Sequence, residues 1–210
     1  MLEWFFKMGP WFILVPTYFS LYKFSKLSRG FKLVACYLYV SVISQAVAFF
    51  FWYKSLNNMP VSHAYTVLEF ILICCFYNYT LKAFLPRHLV LITVFAFTLF
   101  AISSAVFIQP ISQFNSYTST LSSFLILLFA MYYMFKHLSI EAERYTDIVP
   151  GSIFNYGFII YFSGSLLLFA FDGLMPKGRD LQMYVWSVHL TLLLVLYIFL
   201  TAGFFKINRQ

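Results

Sequence analysis

The chain has 210 residues, of which 62% are hydrophobic, 23% aromatic and only 10% charged; a soluble domain carries about 25% charged residues. With a mean hydropathy of +0.82, a soluble globule of this size would lack the polar residues to cover its surface, so the composition describes a single integral membrane domain spanning 1–210. The net charge of +7 would raise nucleic acid as a partner for a soluble protein. Here it is expected in cytoplasmic loops that hold the chain in orientation, with membrane lipids as the surroundings and no nucleic acid.

Seven apolar segments follow one another, at about 4–22, 33–52, 63–83, 89–107, 117–135, 152–171 and 183–205. Each is close to the ~20 residues that cross a bilayer. The fold class is therefore an all-α, polytopic membrane bundle of seven transmembrane helices. Lys7, Pro10 and Pro16 interrupt the first segment, and Pro16 is expected to kink it. The basic residues of that segment follow the apolar run rather than precede it, and no A-x-A site is evident, so it reads as a retained helix and not a cleaved leader.

The loops are short. Counting their basic residues puts Lys23, Lys26, Arg29, Lys32, Lys82, Arg87, Lys136, Arg144, Lys206 and Arg209 on one side and Lys7, Lys54, Lys177 and Arg179 on the other, ten against four. The basic side is expected to be cytoplasmic, with the N-terminus outside and the C-terminus inside a bacterial inner membrane. No internal repeat is evident, which argues against a transporter built from duplicated halves. The longest inner loop, KHLSIEAERYTDIVPG (136–151), offers a mixed charged patch for a membrane or cytoplasmic protein partner. Cys36, Cys74 and Cys75 all lie in apolar runs without a CxxC and read as small hydrophobes.

Of seven acidic residues only Glu69 falls inside a segment. Ionisable residues within the bilayer are costly and usually face the bundle interior. At 1.5 Å per residue Glu69 lies about 9 Å below His63, which is expected to open the third helix, with Tyr65 one turn above and Thr66 adjacent. Gln45 reaches about 10 Å below the outer end of the second helix. His189 lies about two turns into the seventh, and the fifth begins with the polar run FNSYTSTLSS, including Tyr117. Depth alone thus suggests an outward-facing polar cavity formed by Glu69, Gln45, Tyr65, Thr66, His63, Tyr117 and His189. The competing interpretation makes Glu69 interhelical glue, bonded to Gln45 or Tyr65. Ser and Thr would then bond their own i−4 carbonyls. In GSIFNYGFIIYFSGSLL, Gly157 and Gly164 are expected to permit close helix packing.

The last segment, MYVWSVHLTLLLVLYIFLTAGFF, has no lysine, which removes a retinal-binding reading, and no cofactor is expected. His63, Glu69 and His189 would supply two histidines and a carboxylate for zinc in a metal-dependent hydrolase acting on a lipid, although no HExxH or HxxxH is present. No GxSxG or nucleotide motif occurs. The leading expectation is a non-enzymatic, receptor-like or accessory protein that couples its cavity to a partner. A metal-dependent hydrolase and a small-solute transporter are the alternatives.

Four strings, LYKFSKLSRGFKL, NNMPVSHAYTVLEF, FNSYTSTLSSFLILLFAMYYMFK and YFSGSLLLF, together resemble a family of small, uncharacterised seven-helix inner-membrane proteins of Bacteroidota, often encoded beside sensor histidine kinases. The resemblance runs from about Leu21 to Phe205 and implies a signalling context without implying a chemistry. It departs at Ser119 or Thr120, where the family is expected to carry a charge, and at Ser165, where it is expected to carry Asn. The H-x-Y-T-x-x-E-F string holding His63, Tyr65 and Glu69 is intact.

Overall fold

The computed structural model describes residues 8–138, 145–172 and 179–207. Among these there are seven α-helices and no strand: α1 (Leu14–Tyr22), α2 (Arg29–Tyr53), α3 (Met59–Thr80), α4 (Arg87–Phe107), α5 (Ser116–Leu138), α6 (Tyr145–Ala170) and α7 (Arg179–Lys206). Six, α2 to α7, are long and apolar enough to cross a membrane, which makes the chain a multi-pass membrane protein. The proline-rich start gives α1 a different form from the expected kink. A 3-10 turn, Gly9–Ile13, leads into a nine-residue helix whose third residue is Pro16. Proline has no N–H to donate, so it is tolerated in a first turn. Turn and helix together extend only about 24 Å.

Most helices begin earlier than the apolar pattern suggests. Pro60 occupies the first turn of α3, where a missing N–H costs nothing, and the Asn57 side chain accepts the Met59 N–H at 2.9 Å. MPVS therefore belongs to the helix, and His63 lies in its second turn rather than at its start. α6 likewise takes up Pro150, and the expected 136–151 loop is replaced by helix on both sides. Lys7, residues 139–144 of that loop, residues 173–178 and Arg209 lie outside the described residues.

The helices close into a ring. α2 runs along α3, α3 contacts α4 and α5, α5 packs on α6, α6 on α7, and α1 bridges α7 back to α2. Lys23, just after α1, donates to the carbonyls of Phe205 and Ile207 at 2.8 and 2.6 Å, which pins the first and last elements together and satisfies helix-terminal carbonyls. The core between the helices is largely aromatic: Tyr37, Phe76, Tyr77, Phe154, Phe158 and Phe162 are buried. α4 shows the lipid most of its surface, including Leu91, Ile92, Phe95, Ile102 and Val106. Lys26, Arg29, Lys82, Arg87 and Lys206 gather at one end of the bundle, with Lys54 at the other.

Small residues set the α6–α7 distance. A Cβ on Gly157 would fall 2.7 Å from the Cβ of Phe199, and one on Gly164 would meet the terminal methyls of Leu192. The first obstacle is anchored next to the backbone, whereas the second can rotate away. Gly157→Ala should therefore lower the thermal midpoint in detergent, at a cost of about 1–3 kcal/mol from overpacking. Gly164→Ala should leave that midpoint nearly unchanged. Equal behaviour of the two variants would show that side-chain freedom does not decide the spacing.

Candidate functional site

Glu69 is the eleventh residue of the 22 in α3, half way along the span, and only 6% exposed. Tyr65, one turn earlier on the same face, donates its hydroxyl to Glu69 Oε1 at 2.9 Å. Ser41 of α2 lies 3.1 Å from that hydroxyl and also donates to the carbonyl of Tyr37 at 2.7 Å. Tyr37 of α2 also hydrogen-bonds the carboxylate, so Glu69 is tied to α2 directly as well as by way of Tyr65 and Ser41. Tyr37, Tyr161 and Tyr197 complete a ring of phenols close enough to feel its charge.

This group forms part of the wall of a cavity of about 330 Å³ enclosed by α2, α3, α5, α6 and α7. Its size falls at the small end of ligand sites, which run from about 300 to 1,000 Å³. One side is hydroxyl-rich: Ser41, Ser44, Ser62, Ser119, Ser122 and Ser123. The other is aromatic: Phe114, Phe162, Phe169 and Trp186, with Tyr161 and Tyr197 deeper in. Asn58, Met59 and Phe114 bring the wall up to the loops at the end opposite the basic cluster. His189 lines the cavity with its ring centred 5.7 Å from Tyr161, 5.4 Å from Phe169 and 5.6 Å from Trp186. Its Nδ1 has no hydrogen-bond partner among the described residues.

Five of the seven residues anticipated from sequence, Glu69, Gln45, Tyr65, Thr66 and His189, share this wall. Two do not. Tyr117 is 57% exposed and faces away; its backbone N–H donates to Gln109, and Ser119, Ser122 and Ser123 bring α5 to the cavity instead. His63 turns its Nε2 to the carbonyl of Gln113 at 3.0 Å, so it anchors the 108–115 loop rather than lining the site. The supposed zinc set is accordingly split, with Glu69 and His189 at the cavity and His63 outside it. No group of three His, Cys, Asp or Glu assembles for a metal among the described residues.

The loop below His63 is held by a second polar node. Asn115, 0% exposed, accepts from Ser62 at 3.1 Å and donates to Thr66 at 2.9 Å, which locks α3 to the start of α5. Deeper in the bundle, Tyr77 donates to Asn155 of α6 at 2.8 Å, and Asn155 donates to the carbonyl of Ala130 on α5 at 3.2 Å. Sequence reasoning missed Tyr161, Tyr197 and Trp186, because tyrosine and tryptophan in a membrane chain read as interfacial belt residues. His137 is half-buried, with its ring centred 4.1 Å from that of Tyr133.

No protein family, curated protein or solved structure matches the chain.

The node at Asn115 yields a direct measurement. Asn115→Leu and Thr66→Val should each lower the thermal midpoint in detergent, and the double variant should lower it by less than their sum. The coupling should be about 0.5–2 kcal/mol, in line with side-chain hydrogen bonds between membrane helices. Strict additivity would show that the pair contributes no net stability.

Proposed function

We propose that this protein is a receptor-like or accessory membrane protein that binds a small molecule in its cavity and passes a helix movement to a partner. The observation that carries this reading is Glu69: a carboxylate buried half way through a span, on the wall of a cavity that reaches the loops. A group so costly to bury would serve the fold as well from a site with no space beside it. α3 would be the moving element. It presents Glu69 to the cavity and, eight residues or about 12 Å further on, Tyr77 to the Asn155 node on α6 and α5. A ligand that pulls on Glu69 would bias the α3–α5–α6 contacts toward the basic end. A signalling partner on that side is consistent with the resemblance to membrane proteins found beside histidine kinases.

In this reading α1 is a seventh span, the membrane is a bacterial inner membrane, and the basic end is cytoplasmic because positively charged loops are retained there. The cavity then faces outward. A cysteine-free protein carrying Leu56→Cys should react with a membrane-impermeant maleimide in intact cells. Ser25→Cys should react only after permeabilisation. The opposite pattern would invert the topology and turn the cavity toward the cytoplasm.

Glu69→Gln should insert and purify like the wild type, since Tyr65 can still donate to the amide oxygen, yet fail to complement a deletion strain. Full complementation would remove Glu69 from the function. Stoichiometric zinc in the purified wild type, lost in His189→Ala, would favour the hydrolase. Solute flux in proteoliposomes would favour a carrier.

A further inference from the structure

We infer that the cavity takes an organic ammonium ion, held between the Glu69 carboxylate and the aromatic faces at its mouth. This rests on the ligand-binding reading above and names the chemistry of its ligand. Among the described residues Glu69 is the one charged residue lining the cavity, and no Lys or Arg lines it. The protein hydrogen bonds to its carboxylate come from neutral phenols, Tyr65 and Tyr37. A carboxyl group taken out of water keeps its charge only with a counter-charge as well as hydrogen bonds, and a low-dielectric cleft lined by one sign of charge concentrates ions of the other. An anionic ligand would meet repulsion with no compensating cation among the described residues. His189, the other ionisable group on the wall apart from the phenols, is packed among the rings of Tyr161, Phe169 and Trp186.

The approach is built for a cation. Phe114 packs against both Phe169 and Trp186, centred 5.4 Å from the first and 5.5 Å from the second. All three line the cavity near its loop end. Aromatic faces attract ammonium groups through the ring quadrupole, tryptophan most strongly, and the attraction grows when water is excluded. Past them lie the phenols of Tyr161 and Tyr197 and the serines of α2 and α5, whose oxygens can accept from an N–H or a ligand hydroxyl. The volume of about 330 Å³ corresponds to roughly ten waters, enough for a small amine and too little for a peptide.

The test uses the full-length protein in nanodiscs with isosteric pairs that differ in charge: choline against 3,3-dimethyl-1-butanol, and 2-phenylethylammonium against 2-phenylethanol. The carboxylate 3-phenylpropionate is the anionic control. Binding is followed by calorimetry and by tryptophan fluorescence. At least one ammonium ion should bind about tenfold or more tightly than its neutral partner, and 3-phenylpropionate should bind more weakly than either. Glu69→Gln should erase the charge preference. Trp186→Leu, which leaves the carboxylate in place, should weaken the ammonium and spare the alcohol. The inference is overturned if the neutral or anionic probe binds as well as the cation, if the preference survives Glu69→Gln, or if no ammonium binds. Saturable binding of the alcohol or carboxylate, lost when Ser122→Phe fills the cavity, would sink the cation and keep the ligand-binding reading. Absence of binding by every probe, together with full complementation by Glu69→Gln, would sink both.

Discussion

Hydrocarbon offers no hydrogen-bond partners, and that constraint organises this molecule from the backbone outward. Each spanning segment must close its own backbone bonds and therefore be helical. Each polar side chain must turn inward or bond its own helix. Thr93, Thr98 and Thr191 take the second course, each donating to a carbonyl four residues back. Asn115, Asn155 and Glu69 cannot be satisfied that way and are drawn to the interior. They occupy three levels: Asn115 at the mouth, Glu69 at mid-span and Asn155 toward the basic end. All three bear on α3, through Thr66, through Glu69 itself and through Tyr77. The helix with the most polar obligations is the one that contacts α2, α4 and α5 together.

The spans were legible because apolar length is a property of sequence alone. Their ends were not. Pro60 and Pro150 carry the signature of a break, yet Pro60 falls in a first turn, where the missing N–H would have had no partner, and α6 absorbs the loss at Pro150 near its start. Helices also continue into the interfacial region, where polar residues such as Arg29 and Lys206 no longer register as span. The brevity of α1 follows from Pro10 and Pro16, which the sequence displays without saying whether they kink a helix or shorten it.

The site was legible in depth and not in direction. Rise per residue placed Gln45, Glu69 and His189 at a common level, and the structure joins them at one cavity. Depth cannot say which way a side chain points. Tyr117 and Ser119 are two residues apart on α5, and the rotation of ~100° per residue puts one toward lipid and the other toward the cavity. The same ambiguity hid Tyr161 and Tyr197. His63 was misjudged for a different reason: its ring is claimed by the Gln113 carbonyl, a partner in a loop that no helical periodicity places.

The two accounts of Glu69, as glue and as a ligand group, are not exclusive in this geometry. The bond from Tyr65 lies within α3, while Tyr37 hydrogen-bonds the carboxylate from α2 and Ser41 meets the Tyr65 hydroxyl from the same helix. As glue this includes a direct bond across the helices, from the Tyr37 phenol to the carboxylate, of the modest strength usual between membrane helices. Glu69 is anchored by a phenol of its own helix and by one of α2, with the cavity beside it. A carboxylate held this way links α2 to α3 and still borders the space that a ligand would enter. The firm cross-links, Asn115 to Thr66 and Tyr77 to Asn155, lie above and below it. α3 is therefore bonded above, at and below the carboxylate, and a ligand in the cavity would bear on the middle of the three levels.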